Sequence, residues 1–526
     1  MSSILKKEKN KQTSGVDICF LVSSSGKKSY QKLSENYSAI ETPTWALLLA
    51  ESCRSVGFEV KIIDANAEGL SHNKILSKIE SYNPRILCLV VYGQNVNAGT
   101  SNMSGAVDIT NYLKKSNVSY PIAFIGSHAQ ALPKETLEKE KNIDIIFTNE
   151  GVYALRNLLK LENFLPDNLK TIKGIGFRDS NFINITLPEK VVPTERMDID
   201  LPGYAWDLLP YKNKPFDLYR SPMWHAEYDL KKRTPYASLQ TSLGCVFKCE
   251  FCMINLINRN DTDEVGVASN YSNMRFWSTN FIIKEFEKLI EMGVETIRIV
   301  DEMFLLNPKY YVPLCEKLAK LNKKDKLRMW SYSRIDTVKR LDILKLVRKA
   351  GIKWLAIGIE SGDKAVRLEV AKGKFEDVDV KDVINKIHDA DINVMGNYIF
   401  GLPGDTKETI KKTFELSKEL CTAGWNTYTA MALPGSQLYK DALKKNYKLP
   451  DTYEGFSWYS YETQPLPTDS LKPEEILEFR DKSFKEYHTH KPFLDKIEKT
   501  FGKKAAANIK DMTKVNLKRK ILGHLK

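Results

Sequence analysis

The 526-residue chain carries 79 Lys and Arg against 66 Asp and Glu, is 42% hydrophobic and 10% aromatic, and holds 27 Gly and 21 Pro. That balance excludes a disordered, collagen-like or disulfide-scaffold protein, and at about 150 residues per domain the length accommodates three to four domains with their own cores. The net charge of +13 is uneven, because residues 501–526 hold eight Lys or Arg against one acid, Asp511. Such a run reads as a solvated helix face before it reads as a nucleic-acid or membrane patch, so neither partner is expected. The polar, lysine-rich first fifteen residues lack a signal-peptide core, and apolar stretches such as 86–91 are too short to cross a bilayer; a cytoplasmic protein is expected.

Residues 1–15 read as a disordered tail. From residue 17, short apolar strands (18–22, 59–65, 85–93, 121–126, 143–149) alternate with helices (44–57, 73–82, 104–115). That is the pattern of a parallel sheet covered on both faces, and it predicts a doubly wound α/β domain over 16–165. Residues 171–193 read as a hairpin within an ordered connector, 166–235, whose later part is rich in proline and aromatic residues. A second alternation, with strands at 237–242, 296–302, 327–333, 353–360, 393–401 and 425–432, predicts a partial (β/α)6 barrel over 236–440 with functional groups at the strand C-termini. Its helices include 280–293, with one apolar stripe, and 405–420, where Asp405 and Glu408 read as a capping box. Residues 441–526 read as a helical C-terminal region.

Five of the eight cysteines are scattered (Cys19, Cys53, Cys88, Cys315, Cys421), and three form one group, SLGCVFKCEFCMIN, directly after the first strand of the second alternation. In a reducing compartment scattered cysteines are buried thiols, whereas a cluster points to a metal or to catalysis. Three thiolates on one tight loop, Cys245, Cys249 and Cys252, can ligate three irons of a cubane and leave the fourth open. The alternatives are a structural zinc, which would recruit a fourth ligand such as His225 or Cys315, and an incidental group. Other patterns carry less. SSSGKKS lacks the spacing of a phosphate loop, and no GxGxxG follows the first strand. His488-Thr489-His490 reads as surface before it reads as a metal-binding pair. Trp45, Trp277, Trp330 and Trp425 read as core, with Trp425 and Tyr428 as candidates to line a substrate cavity.

The cysteine loop resembles the CxxxCxΦC motif of the radical S-adenosylmethionine (SAM) superfamily, with Phe251 as the aromatic. The resemblance implies a [4Fe-4S] cluster whose open iron chelates S-adenosylmethionine, and reductive cleavage of that cofactor to methionine and a hydrogen-abstracting 5′-deoxyadenosyl radical. Other strand ends resemble the family's cofactor contacts. Asp301 and Glu302 stand where the methionyl ammonium is held, or else cap the helix starting near Asn307 and Pro308. Ser333, Arg334, Glu360 and Ser361 stand where ribose and carboxylate are met, or else form barrel-mouth salt bridges. Ile399 to Gly401 stand along the adenine, or else are a plain strand-to-helix turn.

The domain order over 16–440 resembles the cobalamin-dependent branch of that superfamily. Open parallel sheets bind ligands at their strand C-termini, so the implied cobalamin contacts are Tyr92, Gly93 and Gln94, then Gly126, Ser127 and His128, then Asn149, Glu150 and Gly151. The DxHxxG signature is absent, which points to base-off cobalamin with no protein imidazole on cobalt. The resulting expectation is a cobalamin-dependent radical SAM methyltransferase acting on an unactivated carbon or phosphorus of a small molecule, fed by an external donor such as flavodoxin or ferredoxin. Radical cyclisation or rearrangement without methyl transfer is the second reading. A basic zinc protein binding nucleic acid is the rival from another class.

Overall fold

The computed structural model describes residues 15–93, 96–338, 340–370 and 375–525; the tail expected at 1–15 therefore lies outside the described residues except for Gly15. The first unit contains β1 (Ile18–Val22), β2 (Val60–Asp64), β3 (Ile86–Val90), β4 (Ile122–Ile125), β5 (Ile145–Phe147), β6 (Ile175–Asp179) and β7 (Phe182–Ile185). They form one sheet in the order β2-β1-β3-β4-β5-β6-β7. The first five strands are parallel. Alternate residues of β1 feed two cores: Ile18 and Phe20 pack with the helix Thr44–Arg54, and Cys19 and Leu21 with His72–Tyr82 and Gly99–Lys115. Burial on both faces is why these strands are continuously apolar, and the doubly wound expectation is met.

The hairpin expected inside the connector is β6–β7, and it extends the first sheet by antiparallel pairing with β5. The rest of 201–235 is ordered by tertiary bonds: the Tyr219 hydroxyl donates to Asp64 at 3.0 Å, and Arg220 forms a β-bridge with Ile40.

The second unit begins with β8 (Tyr236–Leu239). The chain then leaves the sheet for a two-stranded antiparallel ribbon, β9 (Ser242–Cys245) and β10 (Asn273–Phe276). It returns through β11 (Thr296–Ile299), β12 (Arg328–Arg334), β13 (Ile352–Glu360), β14 (Asn393–Phe400) and β15 (Gly424–Thr429). These five continue from β8 as a six-stranded sheet, in chain order and all parallel. This is the expected partial barrel. The capping box of the helix Lys407–Leu420 involves Thr406 and Thr409 rather than Asp405 and Glu408. Asp405 instead accepts the backbone N–H groups of Gly401 and Leu402, because the chain turns sharply there.

The C-terminal helices Pro473–Thr489, Lys491–Phe501 and Lys503–Thr513 pack on the barrel. Tyr487 stacks on Trp425 with ring centres 5.0 Å apart, and Phe501 stacks on Trp354 at 5.6 Å. Trp45, Trp277, Trp330 and Trp425 are all core. His488 departs from its expected surface position, since its helix turns it inward against Trp425.

Candidate active site

The ribbon delivers the three cysteines to the C-terminal mouth of the six strands. Gly244 allows it: φ is +80°, and a Cβ there would lie 2.1 Å from the Asn273 carbonyl oxygen of the paired strand. The Cys245 N–H donates to Asn255 Oδ1 at 2.9 Å, Phe247 N–H to Cys245 Sγ at 3.5 Å, and Cys252 N–H to the Cys249 carbonyl at 3.2 Å. The loop is thereby folded so that Cys245, Cys249 and Cys252 line one cavity of about 180 Å³, together with Phe251. Burial pushes the Cys245 thiol up to about 12 and that of Cys249 up to about 11, the nearby Arg334 guanidinium opposing the rise at Cys249.

No three His, Cys, Asp or Glu side chains among the described residues converge on a single-ion centre. His225 Nε2 sits 3.1 Å from the Arg328 carbonyl, and Cys315 is buried in the helix Pro308–Leu321. The loop therefore lacks the closed four-ligand set of a structural zinc. Thiols that line a cavity without converging suit a multi-iron cluster, in which each iron takes its own thiolate and binding displaces the thiol protons.

The strand ends split between cavity and scaffold. Glu302 faces the cavity, and burial pushes its carboxyl up to about 7. Asp301 does not line it: its carboxylate accepts Thr241 N–H, the Thr241 hydroxyl and the Ser242 hydroxyl, each at 2.6 Å, and so holds the turn between β8 and the ribbon. Neither acid caps the following helix, whose N-cap is Asn307. Ser333 and Arg334 both line the cavity. Ser333 Oγ accepts Leu305 N–H at 3.2 Å. Arg334 makes the salt bridge weighed above, bidentate to Asp336 at 2.6 Å, while its Nη1 lies 3.6 Å from Cys249 Sγ and its guanidinium covers the Phe247 ring at 3.7 Å.

Glu360 lines the cavity in a left-handed conformation, φ +64°, and burial pushes its carboxyl up to about 7. Ser361 is turned away, fully buried, with its hydroxyl 3.2 Å from that of Thr413. Ile399 lines the cavity. Gly401 does not, because it packs against the C-terminal helix, where a Cβ would meet Ile476 Cδ1 at 2.7 Å. Sequence reasoning missed Asn97, which reaches the cavity from the turn after β3, and Trp458 from the C-terminal region. Neither belongs to a periodic or motif-bearing stretch.

At the N-terminal sheet, strand order reverses between β1 and β3, so the ligand crevice lies outside their C-terminal ends. Tyr92 and Gly93 lie there half-buried, and the Tyr92 hydroxyl accepts Gln130 Nε2 at 2.5 Å. Gln94 is outside the described residues. Gly126 packs on the Val91 carbonyl, and Ser127 is fully buried. His128 is enclosed, edge-on to Tyr453 at 5.2 Å with Nδ1 3.4 Å from the Thr100 hydroxyl. The 149–151 loop is occupied by scaffold contacts: Asn149 donates to the Glu189 carbonyl at 2.6 Å, Glu150 pairs with Arg275 at 2.7 Å, and Gly151 packs on Ile125 and Phe147. The β1 and β3 loops thus form the open part of the crevice, while the 126–128 and 149–151 side chains are engaged in scaffold contacts beside it.

Burial pushes the His128 imidazole down to about 3, so it stays neutral when folded. The unfolded chain takes up that proton near pH 6.5, and the stability it carries is present above that value and lost as pH falls toward about 3. A His128→Phe variant, which keeps the ring contact with Tyr453, is expected to lose about 1.4 kcal/mol less stability than the parent between about pH 7.5 and 5.5, read from denaturant midpoints.

The Radical SAM superfamily model matches residues 239–417, a span that holds all three cysteines, Glu302 and Glu360. The chain belongs to the radical SAM superfamily. This radical SAM enzyme also matches the B12 binding domain model over residues 32–159, which places it in the cobalamin-dependent branch. Its cofactors are a [4Fe-4S] cluster, S-adenosylmethionine and cobalamin; its substrate is a small molecule, and it requires a reductant. It is 25% identical over 466 residues to the anaerobic magnesium-protoporphyrin IX monomethyl ester cyclase of Cereibacter sphaeroides, covering 85% of this chain and 67% of that one. It is 26% identical over 339 residues to the hopanoid C-3 methylase of Methylococcus capsulatus, covering 62% and 56%. In fold it resembles the radical SAM methyltransferase TsrM of Kitasatospora setae (TM-score 0.61, 14% identity, 82% and 78% covered) and the cobalamin-dependent OxsB (0.62, 16%, 95% and 71%). No helix among the described residues is long and apolar enough to cross a membrane.

Proposed function

We propose that the protein is a cytoplasmic cobalamin-dependent radical SAM methyltransferase acting on an unactivated carbon, or on phosphorus, of a small molecule. One juxtaposition carries the reading: three thiols, two half-buried carboxylates and Asn97 of the B12 binding domain line the same cavity. Cys245, Cys249 and Cys252 would each hold one iron. Bound there, the cluster and S-adenosylmethionine supply a hydrogen-abstracting radical, and cobalamin supplies a transferable methyl group. Glu302 would hold the methionyl ammonium, a charge-assisted contact that favours its ionised form. Glu360 would accept the ribose hydroxyls and Ile399 would cover the adenine, while Arg334 offsets negative charge beside Cys249. Tyr92 and Gly93 would lie against cobalamin. A flavodoxin or ferredoxin would deliver the electron.

After anaerobic reconstitution with iron, sulfide and hydroxocobalamin, about four irons and one cobalt per chain are expected. Substrate conversion should release S-adenosylhomocysteine together with 5′-deoxyadenosine. Conversion with 5′-deoxyadenosine alone would rule out methyl transfer and favour cyclisation, the reaction named in the Cereibacter relative. Losing one charge-assisted hydrogen bond costs about 1.5–3 kcal/mol, so Glu302→Gln is expected to weaken S-adenosylmethionine binding by about 10- to 150-fold in a titration of the clustered protein.

A further inference from the structure

A second and larger cavity, about 890 Å³, adjoins the first. It is at the upper end of ordinary small-molecule sites. Tyr332, Tyr428 and Trp458 line both cavities, so the two adjoin at those three rings. Its walls come from all parts of the chain: Tyr30 of the first unit, Trp330 and Asn426 inside the barrel, and Met512 of the last helix. We propose that this chamber is the substrate site, and that it takes a large, neutral, mainly apolar substrate built on rings, one edge of which reaches past Tyr428 and Trp458 to the cluster cavity. The assignment rests on the cluster cavity being the seat of the chemistry.

Three observations select that class of molecule. Aromatic faces dominate the walls: Tyr428 and Trp458 lie 4.8 Å apart, and Tyr30 stacks on Tyr459 at 5.5 Å. Such faces reward flat or fused-ring partners with contact area at little conformational cost. The inner cations are already paired: Arg298 with Glu41 at 3.0 Å, and Arg480 with Asp481 at 2.9 Å. His488 is held neutral by burial, its pKa pushed down to about 4. A charged substrate body would lose its hydration and find the inner charges, Arg298 and Arg480 with their acids, already engaged. The third observation is the junction. Because only three rings are shared between the chambers, the reacting atom belongs at the periphery of the substrate and not at its centre.

The test uses the reconstituted full chain and 1-pyrenemethanol, a neutral fused-ring fluorophore, as probe. Trp224, Trp330, Trp425 and Trp458, four of the eight tryptophans, line the chamber. Saturable quenching of tryptophan emission is expected in the parent. Two variants fill the space from different elements, Met512→Trp from the last helix and Asn426→Trp from β15, and each is expected to weaken probe binding at least about tenfold. Their iron content and circular dichroism should match the parent, which separates a filled chamber from a collapsed one. Phe182→Ser, on the exposed hairpin away from the chamber, should bind the probe as the parent does. No saturable quenching in the parent, or undiminished binding in both iron-replete filled variants, would overturn the proposal. If one variant fails to fold, the other decides. Probe binding does not require S-adenosylmethionine cleavage, so an enzyme that binds 1-pyrenemethanol in the chamber but never forms 5′-deoxyadenosine would refute the catalytic reading alone.

Discussion

Cys249→Ala is expected to abolish reductive cleavage of S-adenosylmethionine and to drop iron from about four per chain to under one after reconstitution and desalting. The reasoning is local. Cys249 is half-buried, and its loop is pinned by bonds that the substitution leaves intact: Glu250 N–H to the Val370 carbonyl at 3.3 Å, Leu438 N–H to the Glu250 carbonyl at 3.0 Å, and Cys245 N–H to Asn255. The cavity left by one sulfur costs about 1 kcal/mol, so the unfolding midpoint should barely move while activity disappears. Cys315→Ala supplies the converse. That thiol is fully buried in the helix Pro308–Leu321, far in sequence from the loop, and its loss is expected to cost comparable stability while iron content and cleavage remain at the parent level. If Cys249→Ala still produced 5′-deoxyadenosine at the parent rate, the assignment of the cluster to this loop would be wrong.

The loop was legible because its meaning is local: three cysteines in eight residues after a strand point to one chemistry wherever that strand lies. The parallel strands were legible for a related reason, since burial on both faces writes unbroken apolar runs such as ILCLV of β3. Site assignments that depend on side-chain direction were less secure. Asp301 and Glu302 are neighbours just past the end of β11, and neighbouring residues point to opposite sides, so one reaches the cavity and the other the scaffold. Ser361 and Gly401 stand one residue beyond strands whose last cavity-facing positions are Glu360 and Ile399; there the chain has already turned toward its next helix. Asp301, Ser361 and Gly401 do not line the cavity for these reasons. The scaffold contacts of the 149–151 loop were hidden for another reason. Its partners, Glu189, Val192, Arg259 and Arg275, are distant in sequence, and no pattern in one segment announces a partner in another. The same holds for His488, whose helix face is set by packing against β15.

Glu150→Gln is expected to destabilise the junction of the two α/β units by about 3–5 kcal/mol. Glu150 and Arg275 are both fully enclosed, and their ion pair closes at 2.7 Å. Between them they clamp both backbone groups of Val192: Glu150 accepts its N–H at 2.6 Å, and Arg275 donates to its carbonyl at 2.7 Å. Arg275 also donates to Asn258 at 2.9 Å, beside the cysteine loop. The amide of Gln retains shape and can still accept from Val192, but it leaves the guanidinium buried without a counter-charge, and the desolvation already incurred is no longer offset. Replacing both partners by apolar residues of similar size, Glu150→Leu with Arg275→Met, removes that unpaired charge. The double variant should therefore be more stable than Glu150→Gln, although it still loses the Val192 clamp. Denaturant unfolding followed by hydrogen exchange at β5 and β10 would read the effect where it arises, since a chain of this size need not unfold in one step. A double variant no more stable than the single would mean that the Val192 bonds, and not the charge pair, hold the B12 binding domain against the barrel.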